Sequence, residues 1–271
     1  MPGDSSHDDK DGRKRTMRTV QLKNVTLGEG RAKVIVPITG RDAEELVAQA
    51  TELAKHELDI VEWRIDFFAD ALDPDAVLAV AEPVVAALGG KPVLFTFRTK
   101  GEGGEQAIEP AAYVELNTRL IASGLVDAVD VELYYDAEAG DAVIAAAHEH
   151  GVAVVGSNHD FAATPAADEI VRRLVAMQQR GCDVAKLAAM PTSQADLVTM
   201  LGATATMATE HAGTPVLTMS MSGRGVITRI AAQVFGSCAT FAMVGRASAP
   251  GQVPVEDIQP ILALVDANLP R

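Results

Sequence analysis

The chain has 271 residues with 23 basic and 37 acidic side chains, and its formal net charge of −14 repels the phosphates of a nucleic acid. Hydrophobic residues make up 48% of the sequence, enough for a large core, and no apolar stretch reaches the roughly 18 residues that a membrane helix needs. We therefore expect a globular protein with neither nucleic acid nor a membrane as its partner.

The first residues differ in composition from the rest of the chain. Residues 1–18 are charged and poor in apolar side chains, so we expect a disordered tail, without a secretory signal, before a single folded domain over 19–271. Only Cys182 and Cys238 are present, which is typical of a reducing compartment and predicts a cytoplasmic protein without a disulfide framework. The scattered histidines and the lack of paired cysteine motifs predict no metal site.

Strand and helix patterns then follow one another in a regular rhythm. Two short alternating runs over 20–30 predict a β-hairpin or a pair of edge strands, and a hairpin here would be free to cover one end of the fold. The predicted strands after it are 33–38, 59–65, 93–98, 128–133, 153–159, 184–190, 215–221 and 239–244. The predicted helices are 43–55, 74–88, 110–123, 141–150, 165–179, 193–210, 227–235 and 255–269. Eight βα units favour a (β/α)₈ barrel over a doubly wound sheet, since no Gly-x-Gly-x-x-Gly follows the first of these strands.

Polar residues at the carboxyl ends of the predicted strands are the candidates for function, because barrel active sites form there. Alternation places Glu62, Arg64 and Asp66 on one face of their strand, either as functional groups or as a structural ion pair. Arg98 ends the next strand. The Gly-rich loop behind it carries Glu102 and is interpreted as a lid, an anion-binding loop or only a flexible turn.

Two further strands carry residues suited to acid–base and nucleophilic chemistry. His159 ends its predicted strand, which favours a general acid or base, with a structural histidine as the alternative. Lys186 is the only charged residue in the apolar run 184–190, and enclosure there disfavours an ammonium ion, so the pattern favours an amine that forms an imine with a carbonyl. The alternatives are a lysine that extends to solvent from the strand end, or an ion pair with Glu132 or Glu62.

The last two strands add further polar groups. Arg229 lies at the start of a predicted helix, where it either binds a substrate carboxylate or is an ordinary surface arginine. Ser248 and Gln252 follow the final strand and contribute uncharged hydrogen-bonding groups to the same end of the barrel.

Taken together, these segments resemble the type I 3-dehydroquinate dehydratases, the Schiff-base enzymes of the shikimate pathway. The resemblance lies in the order and spacing of Glu62-Trp-Arg64, Phe95-Thr-Phe-Arg98 with Glu-Gly-Gly-Glu-Gln behind it, Ser157-Asn-His159-Asp-Phe, Lys186, and Ser248-Ala-Pro-Gly-Gln252. It implies a (β/α)₈ barrel closed at its amino end by the hairpin. It also implies syn elimination of water from 3-dehydroquinate to give 3-dehydroshikimate, no cofactor, and a homodimer.

Residue roles follow from the same resemblance, position by position. Lys186 would form the imine, His159 would be the general base, and Glu102 would assist His159. The implied substrate-binding residues are Glu62, Arg64, Arg98, Arg229, Ser248 and Gln252. One departure is Pro37, where some members have a serine that contacts the substrate, with Thr39 as the candidate substitute.

Two other functions stay open at this point. A class I aldolase also uses a lysine on the sixth strand of this fold, but such enzymes often bind phosphate through glycines after strands seven and eight. Three arginines here suit a carboxylate and polyols instead. A metabolite-binding sensor is the other alternative, because a fold does not imply activity, although the presence of both Lys186 and His159 argues against it.

Overall fold

The computed structural model describes residues 18–211, 213–245 and 247–269, so the predicted tail lies outside the described residues except for its last position. The strands, in chain order, are β1 (Val20–Leu22), β2 (Val25–Leu27), β3 (Lys33–Ile38), β4 (Ile60–Arg64), β5 (Val93–Thr96), β6 (Ala128–Glu132), β7 (Ala153–Asp160), β8 (Val184–Ala189), β9 (Val216–Ser220), β10 (Ala239–Met243) and β11 (Val253–Pro254). The α-helices are α1 (Ala43–Leu53), α2 (Pro74–Ala87), α3 (Pro110–Ala122), α4 (Ala137–Glu149), α5 (Ala167–Gln179), α6 (Gln194–Glu210), α7 (Val226–Ile230) and α8 (Val255–Asn268).

Strands β3 to β11 form one curled parallel sheet. Strands β3 to β9 pair in chain order, β10 pairs with β3, and the short β11 extends β10. The seam between β9 and β10 is bridged by Val216 and Ser237, and the N–H of Cys238 donates to the Val216 carbonyl at 2.8 Å. The eight strands from β3 to β10 therefore close into a barrel, which confirms the predicted (β/α)₈ fold.

Two helices differ from their predicted bounds by more than two residues. Helix α4 starts four residues early because the Asp136 side chain accepts the N–H of Ala139 and caps it. The predicted helix 227–235 is the five-residue α7 followed by a 3₁₀ turn over Ala232–Phe235, consistent with its β-branched Val, Ile and Thr residues. Arg229 thus lies in the last turn of a short helix and not at the start of a long one. No helix in the described ranges is long and apolar enough to cross a membrane.

The hairpin of β1 and β2 covers the amino end of the barrel. Its strands pair antiparallel, and Leu22, Val25 and Leu27 are buried. They belong to one apolar cluster with residues near the amino ends of the barrel strands, which include Ile35, Ile60, Leu94, Ala128, Val184 and Ala239. Apolar burial therefore closes this end, as the resemblance implied.

The inner face of the barrel changes from apolar to polar along its strands. In β4 the residue near the amino end is Ile60 and the next on the same face is Glu62. In β8, Val184 is followed in the same way by Lys186. The other inward pairs of this kind are Leu94 and Thr96, Ala128 and Asp130, and Val155 and Ser157. Charged groups are thereby collected at the carboxyl end, above the apolar layer.

Candidate active site

A cavity opens at the carboxyl ends of the barrel strands, where active sites of this fold form. All nine predicted site residues line it: Glu62, Arg64, Arg98, Glu102, His159, Lys186, Arg229, Ser248 and Gln252. Apolar side chains complete the wall: Phe161, Ala188, Met219, Met221 and Phe241. Pro37 and Thr39 line a neighbouring depression instead, which shares Ser248 with the cavity.

Lys186 is held in the cavity by carboxylates. Its side chain is 3% exposed, and Nζ donates to Asp130 Oδ2 at 2.9 Å and lies 3.9 Å from Glu62 Oε1. The ammonium group also lies 4.9 Å from the centre of the Phe241 ring. The nearest acidic partner is thus Asp130, which is not among the predicted site residues, while Glu132 binds Arg98 at 2.6 Å.

Asp130 connects the lysine to the rest of the charged layer. It is fully buried and accepts hydrogen bonds from Lys186 and from Ser157 Oγ at 2.6 Å, and Arg98 Nη2 lies 2.9 Å from its Oδ2. Burial alone would raise its pKa, but Arg98 and Lys186 outweigh burial, so the pKa of Asp130 is below its ordinary value. The signal in the sequence was Ala-Val-Asp130-Val-Glu132, in which alternation sends both carboxylates to one face.

His159 and Glu102 form a hydrogen-bonded pair. Glu102 Oε2 lies 2.8 Å from His159 Nδ1 and accepts the backbone N–H of His159 at 2.9 Å. Burial, together with Arg98 and Lys186 nearby, lowers the pKa of His159 well below its ordinary value. The imidazole is therefore neutral at pH 7, and Nε2 is the nitrogen that Glu102 does not engage.

Glu102 is itself a perturbed acid. Burial and the nearby charge of Glu132 raise its pKa to about 7, against the opposing effects of Arg98 and of a hydrogen bond from Asn158. Because Glu102 and His159 share a hydrogen bond, they take up protons as a pair. The pair is poised to move a proton near neutral pH.

Two glycines shape the loop that carries Glu102. Gly103 ends a 3₁₀ turn over Lys100–Glu102 with a left-handed φ of 88°. A Cβ at Gly104 would overlap the carbonyl oxygen of Arg98, so the backbone turns back closely over the end of β5. The Gly-rich segment therefore positions a carboxylate, which goes beyond a flexible turn.

The three arginines of the cavity have different surroundings. Arg64 binds both oxygens of Asp66, at 2.7 and 2.8 Å, and Arg98 binds Asp130 and Glu132. Both guanidinium groups are therefore engaged by internal carboxylates, and both line the cavity.

Arg229 is the exception. It is 2% exposed, its nearest hydrogen-bonding atoms are Met219 Sδ at 3.6 Å and the Pro250 carbonyl at 3.3 Å, and its Nε has no partner in the described structure. None of the described carboxylates lies within 4.0 Å of its guanidinium group. Burial lowers its pKa to about 10, which leaves it a cation at pH 7. A buried cation without an anionic partner is a strong candidate to bind an anionic ligand.

Ser248 and Gln252 bind each other at the rim. The Ser248 N–H donates to Gln252 Oε1 at 2.9 Å, and Gln252 Nε2 donates to Ser248 Oγ at 3.1 Å. Both side chains also line the cavity, so they can offer these groups to a ligand. Among the described residues, no three His, Cys, Asp or Glu side chains are arranged to hold a metal ion.

A buried lysine beside a neutral histidine, at the carboxyl end of a (β/α)₈ barrel, defines a site suited to imine-forming lyases. A sequence model of the family described as type I 3-dehydroquinase matches residues 34–268. The 3-dehydroquinate dehydratase of Salmonella typhimurium is 45% identical over 249 residues, which cover 92% of this chain and 99% of that protein.

Solved structures agree with this match. The type I 3-dehydroquinate dehydratase of Clostridium difficile, crystallised with covalently modified comenic acid, gives a TM-score of 0.91 at 42% identity over 93% of this chain and 100% of that one. The 3-dehydroquinate dehydratase of Geobacillus kaustophilus gives 0.90 at 33% identity over 93% and 98%. The chain belongs to the type I 3-dehydroquinase family.

Proposed function

We propose that this protein dehydrates 3-dehydroquinate to 3-dehydroshikimate in the shikimate pathway, through an imine on Lys186. The observation that carries the proposal is the convergence, in one cavity, of Lys186, the His159–Glu102 pair and Arg229, a buried cation with no carboxylate partner among the described residues. Membership of the type I family supports the same activity.

The first stage makes the carbon beside the ketone acidic. The ammonium group of Lys186 first releases a proton, and the neutral amine attacks the ketone carbon. The proton is taken up again as the carbinolamine collapses, so the ketone oxygen leaves as water. The resulting iminium ion carries a positive charge next to the carbon that must lose a proton. That charge accepts the electron pair which develops in the transition state.

The second stage removes water from the substrate skeleton. His159 Nε2 takes the proton beside the iminium carbon, and the C–H electrons form an enamine. The enamine expels the hydroxyl group one carbon further on, and His159 returns its proton to that leaving group, which gives water and a neutral imidazole. Because one residue serves both transfers, the elimination is syn. Hydrolysis of the conjugated iminium ion then releases the product and regenerates Lys186.

The remaining cavity residues bind the substrate in this proposal. Arg229 holds the carboxylate, because it is a buried cation whose charge no described carboxylate balances. Ser248 and Gln252 bind oxygen atoms at the rim, and Glu62 accepts a hydrogen bond from a hydroxyl group. Arg64 and Arg98 complete the polar wall while keeping their carboxylate partners.

A direct assay tests the activity. 3-Dehydroshikimate is a conjugated enone and 3-dehydroquinate is not, so turnover produces ultraviolet absorbance. We expect absorbance to grow with protein concentration without added metal or cofactor. Binding of 3-dehydroquinate without turnover would favour the sensor, and phosphate-dependent carbon–carbon cleavage would favour the aldolase.

Replacing Arg229 with Ala is expected to raise KM with little change in kcat. Loss of a buried charge-assisted pair with the substrate costs about 2–3 kcal/mol, which corresponds to roughly 30- to 150-fold in kcat/KM. Arg229→Lys is the matched control, because it keeps the charge and loses the bidentate geometry, so it should lose less. Steady-state kinetics decide: a collapse of kcat at unchanged KM would make Arg229 a catalytic group.

Turnover is expected to fall as the pH drops below about 7, where the Glu102–His159 pair takes up a proton. The extra proton removes the lone pair of Nε2 whether it lies on the histidine or on Glu102, since a protonated Glu102 donates to Nδ1. In Glu102→Gln only His159 remains to take up the proton, and its pKa is lowered well below its ordinary value. The acidic limb of the kcat profile should therefore move to lower pH. The measurement is kcat between about pH 5 and 9. A flat profile would contradict this assignment.

We also propose that the protein is a cytoplasmic homodimer. Family resemblance supports the dimer, and the buried unpaired thiols of Cys182 and Cys238 support a reducing compartment. Light scattering tests the dimer: twice the mass of one chain is expected, and the mass of a single chain would contradict it.

A further inference from the structure

A line of contacts joins an outer helix of the barrel to the His159–Glu102 pair. Arg173 lies on α5, and its Nη1 donates to Asn158 Oδ1 at 2.9 Å. Asn158 is 7% exposed at the end of β7, and its Nδ2 donates to Glu102 Oε1 at 3.0 Å. The guanidinium group is therefore one side chain away from the carboxylate that contacts His159.

The donor and acceptor chemistry of the three side chains fixes the orientation of the Asn158 amide. A guanidinium group only donates hydrogen bonds, so the amide oxygen of Asn158 faces Arg173. The NH₂ group of the same amide must then face Glu102. A reversed amide would place oxygen against the Glu102 carboxylate and NH₂ against the arginine, and both contacts are unfavourable while Glu102 is ionised.

We propose that Arg173 is a positioning residue, which fixes the amide of Asn158 and thereby keeps Glu102 an acceptor for His159. This inference rests on the proposed function of the pair. The amide NH₂ group donates a hydrogen bond to a carboxylate, and it cannot accept one from a protonated carboxyl group. It therefore stabilises the ionised form of Glu102. Ionised Glu102 accepts the N–H of His159 Nδ1, and the basic lone pair is then on Nε2.

Arg173 is itself held in place. Its Nε donates to Glu169 at 2.7 Å, its Nη1 lies 3.3 Å from Asp160 Oδ2, and its guanidinium carbon lies 5.9 Å from the Tyr134 ring centre. These contacts limit the positions available to the guanidinium group, so the amide of Asn158 meets a fixed donor.

Other charged groups also act on Glu102 and determine its pKa in the parental protein. The titratable and charged groups around it are Arg98 on the segment after β5, Asp130 and Glu132 on β6, and His159 on β7. The two acidic groups raise the pKa of Glu102 and Arg98 lowers it, while the Asn158 hydrogen bond adds a further lowering. None of these charged groups contacts Arg173 in the described structure, so a change at Arg173 leaves them in place.

The test is the pH profile of kcat for Arg173→Met, which keeps an unbranched side chain and removes the donor. We expect the midpoint of the acidic limb to rise by about 0.5–1 pH unit. The variant loses the charge-assisted contact that turns the NH₂ group of Asn158 toward ionised Glu102. At pH 7 this rise corresponds to a fall in kcat of about two- to fivefold. The yield of the borohydride-trapped imine should stay at the parental level, because Lys186 is untouched.

Arg172→Met is the matched control. Arg172 lies next to Arg173 on α5 and also binds Glu169, but it is 63% exposed and contacts neither Asn158 nor Asp160. The midpoint of the acidic limb in Arg172→Met should equal that of the parental protein. In a Glu102→Gln background, Arg173→Met should no longer move the limb, because the acid through which it acts is gone.

An unmoved midpoint in Arg173→Met, or an equal shift in Arg172→Met, would overturn the inference. If Arg173→Met does not fold, Asn158→Ala replaces it, with the same expected rise of the midpoint and the same decisive result. The outcomes separate the two claims, since absence of a trapped imine in the parental protein refutes the proposed function. If the parental protein gives the trapped imine but the midpoint of the acidic limb is unmoved in Arg173→Met, only the role of Arg173 is refuted.

Discussion

Replacing Lys186 with Ala is expected to abolish turnover of 3-dehydroquinate. The substitution removes the amine that converts the ketone to an iminium ion, and no other lysine lines the described cavity. Reduction with borohydride in the presence of substrate should give no adduct, as measured by the mass of the intact protein. The substrate should still bind, because Arg229 remains, and calorimetry measures that binding.

Two controls accompany Lys186→Ala. The substitution breaks a buried ion pair with Asp130, whose cost reaches about 3–5 kcal/mol when a charge is left unpaired, although Arg98 still contacts Asp130. Thermal melting must therefore show a folded variant. Lys100→Ala removes a lysine from the Gly-rich loop outside the cavity wall, and it should keep both turnover and the adduct. An adduct on Lys186→Ala would show that another lysine is the nucleophile.

Replacing His159 with Ala is expected to slow turnover by about 10²–10⁴-fold while leaving imine formation intact. The variant keeps Lys186, so the imine accumulates because its proton is not removed, and borohydride should trap it. Single-turnover kinetics and the mass of the reduced protein measure the two steps separately. Lys186→Ala and His159→Ala should therefore differ in trapping although both are nearly inactive.

His148→Ala is the matched control for the histidine. His148 is 45% exposed, contacts Asp183 at 3.2 Å and does not line the cavity. Its substitution should leave kcat unchanged. If His159→Ala turns over at the parental rate, the general base lies elsewhere in the cavity. If it fails to give the adduct, His159 is needed to form the imine as well.

The barrel was predictable because two periodicities in the sequence are strong. Alternation of β-branched runs with Ala- and Leu-rich helical patterns set the order of the eight units, and the strand bounds in the structure differ by at most two residues. The period of two within strands placed Glu62 and Arg64 on the inner face. The same period predicts that polar groups of different strands meet, since parallel strands present their carboxyl ends at one edge.

Partner choice within the site was less predictable. Alternation indicates that Asp130 and Glu132 face inward, but it does not decide which of them contacts Lys186, because that depends on the stagger of neighbouring strands. Arg64 has a carboxylate partner and Arg229 has none in the part of the chain that the structure describes, and this difference likewise depends on tertiary contacts. The contact between Arg173 and Asn158 joins a helix to a strand end, and no local pattern indicates it.

The mass of the protein after borohydride reduction with 3-dehydroquinate decides whether the reaction passes through an imine on the chain. Imine formation loses one water and reduction adds two hydrogens, so we expect one adduct per chain, of the substrate or of its dehydration product. Peptide mapping should place that adduct on Lys186. An active protein that gives no adduct, or an adduct on another lysine such as Lys100, would contradict the proposed mechanism.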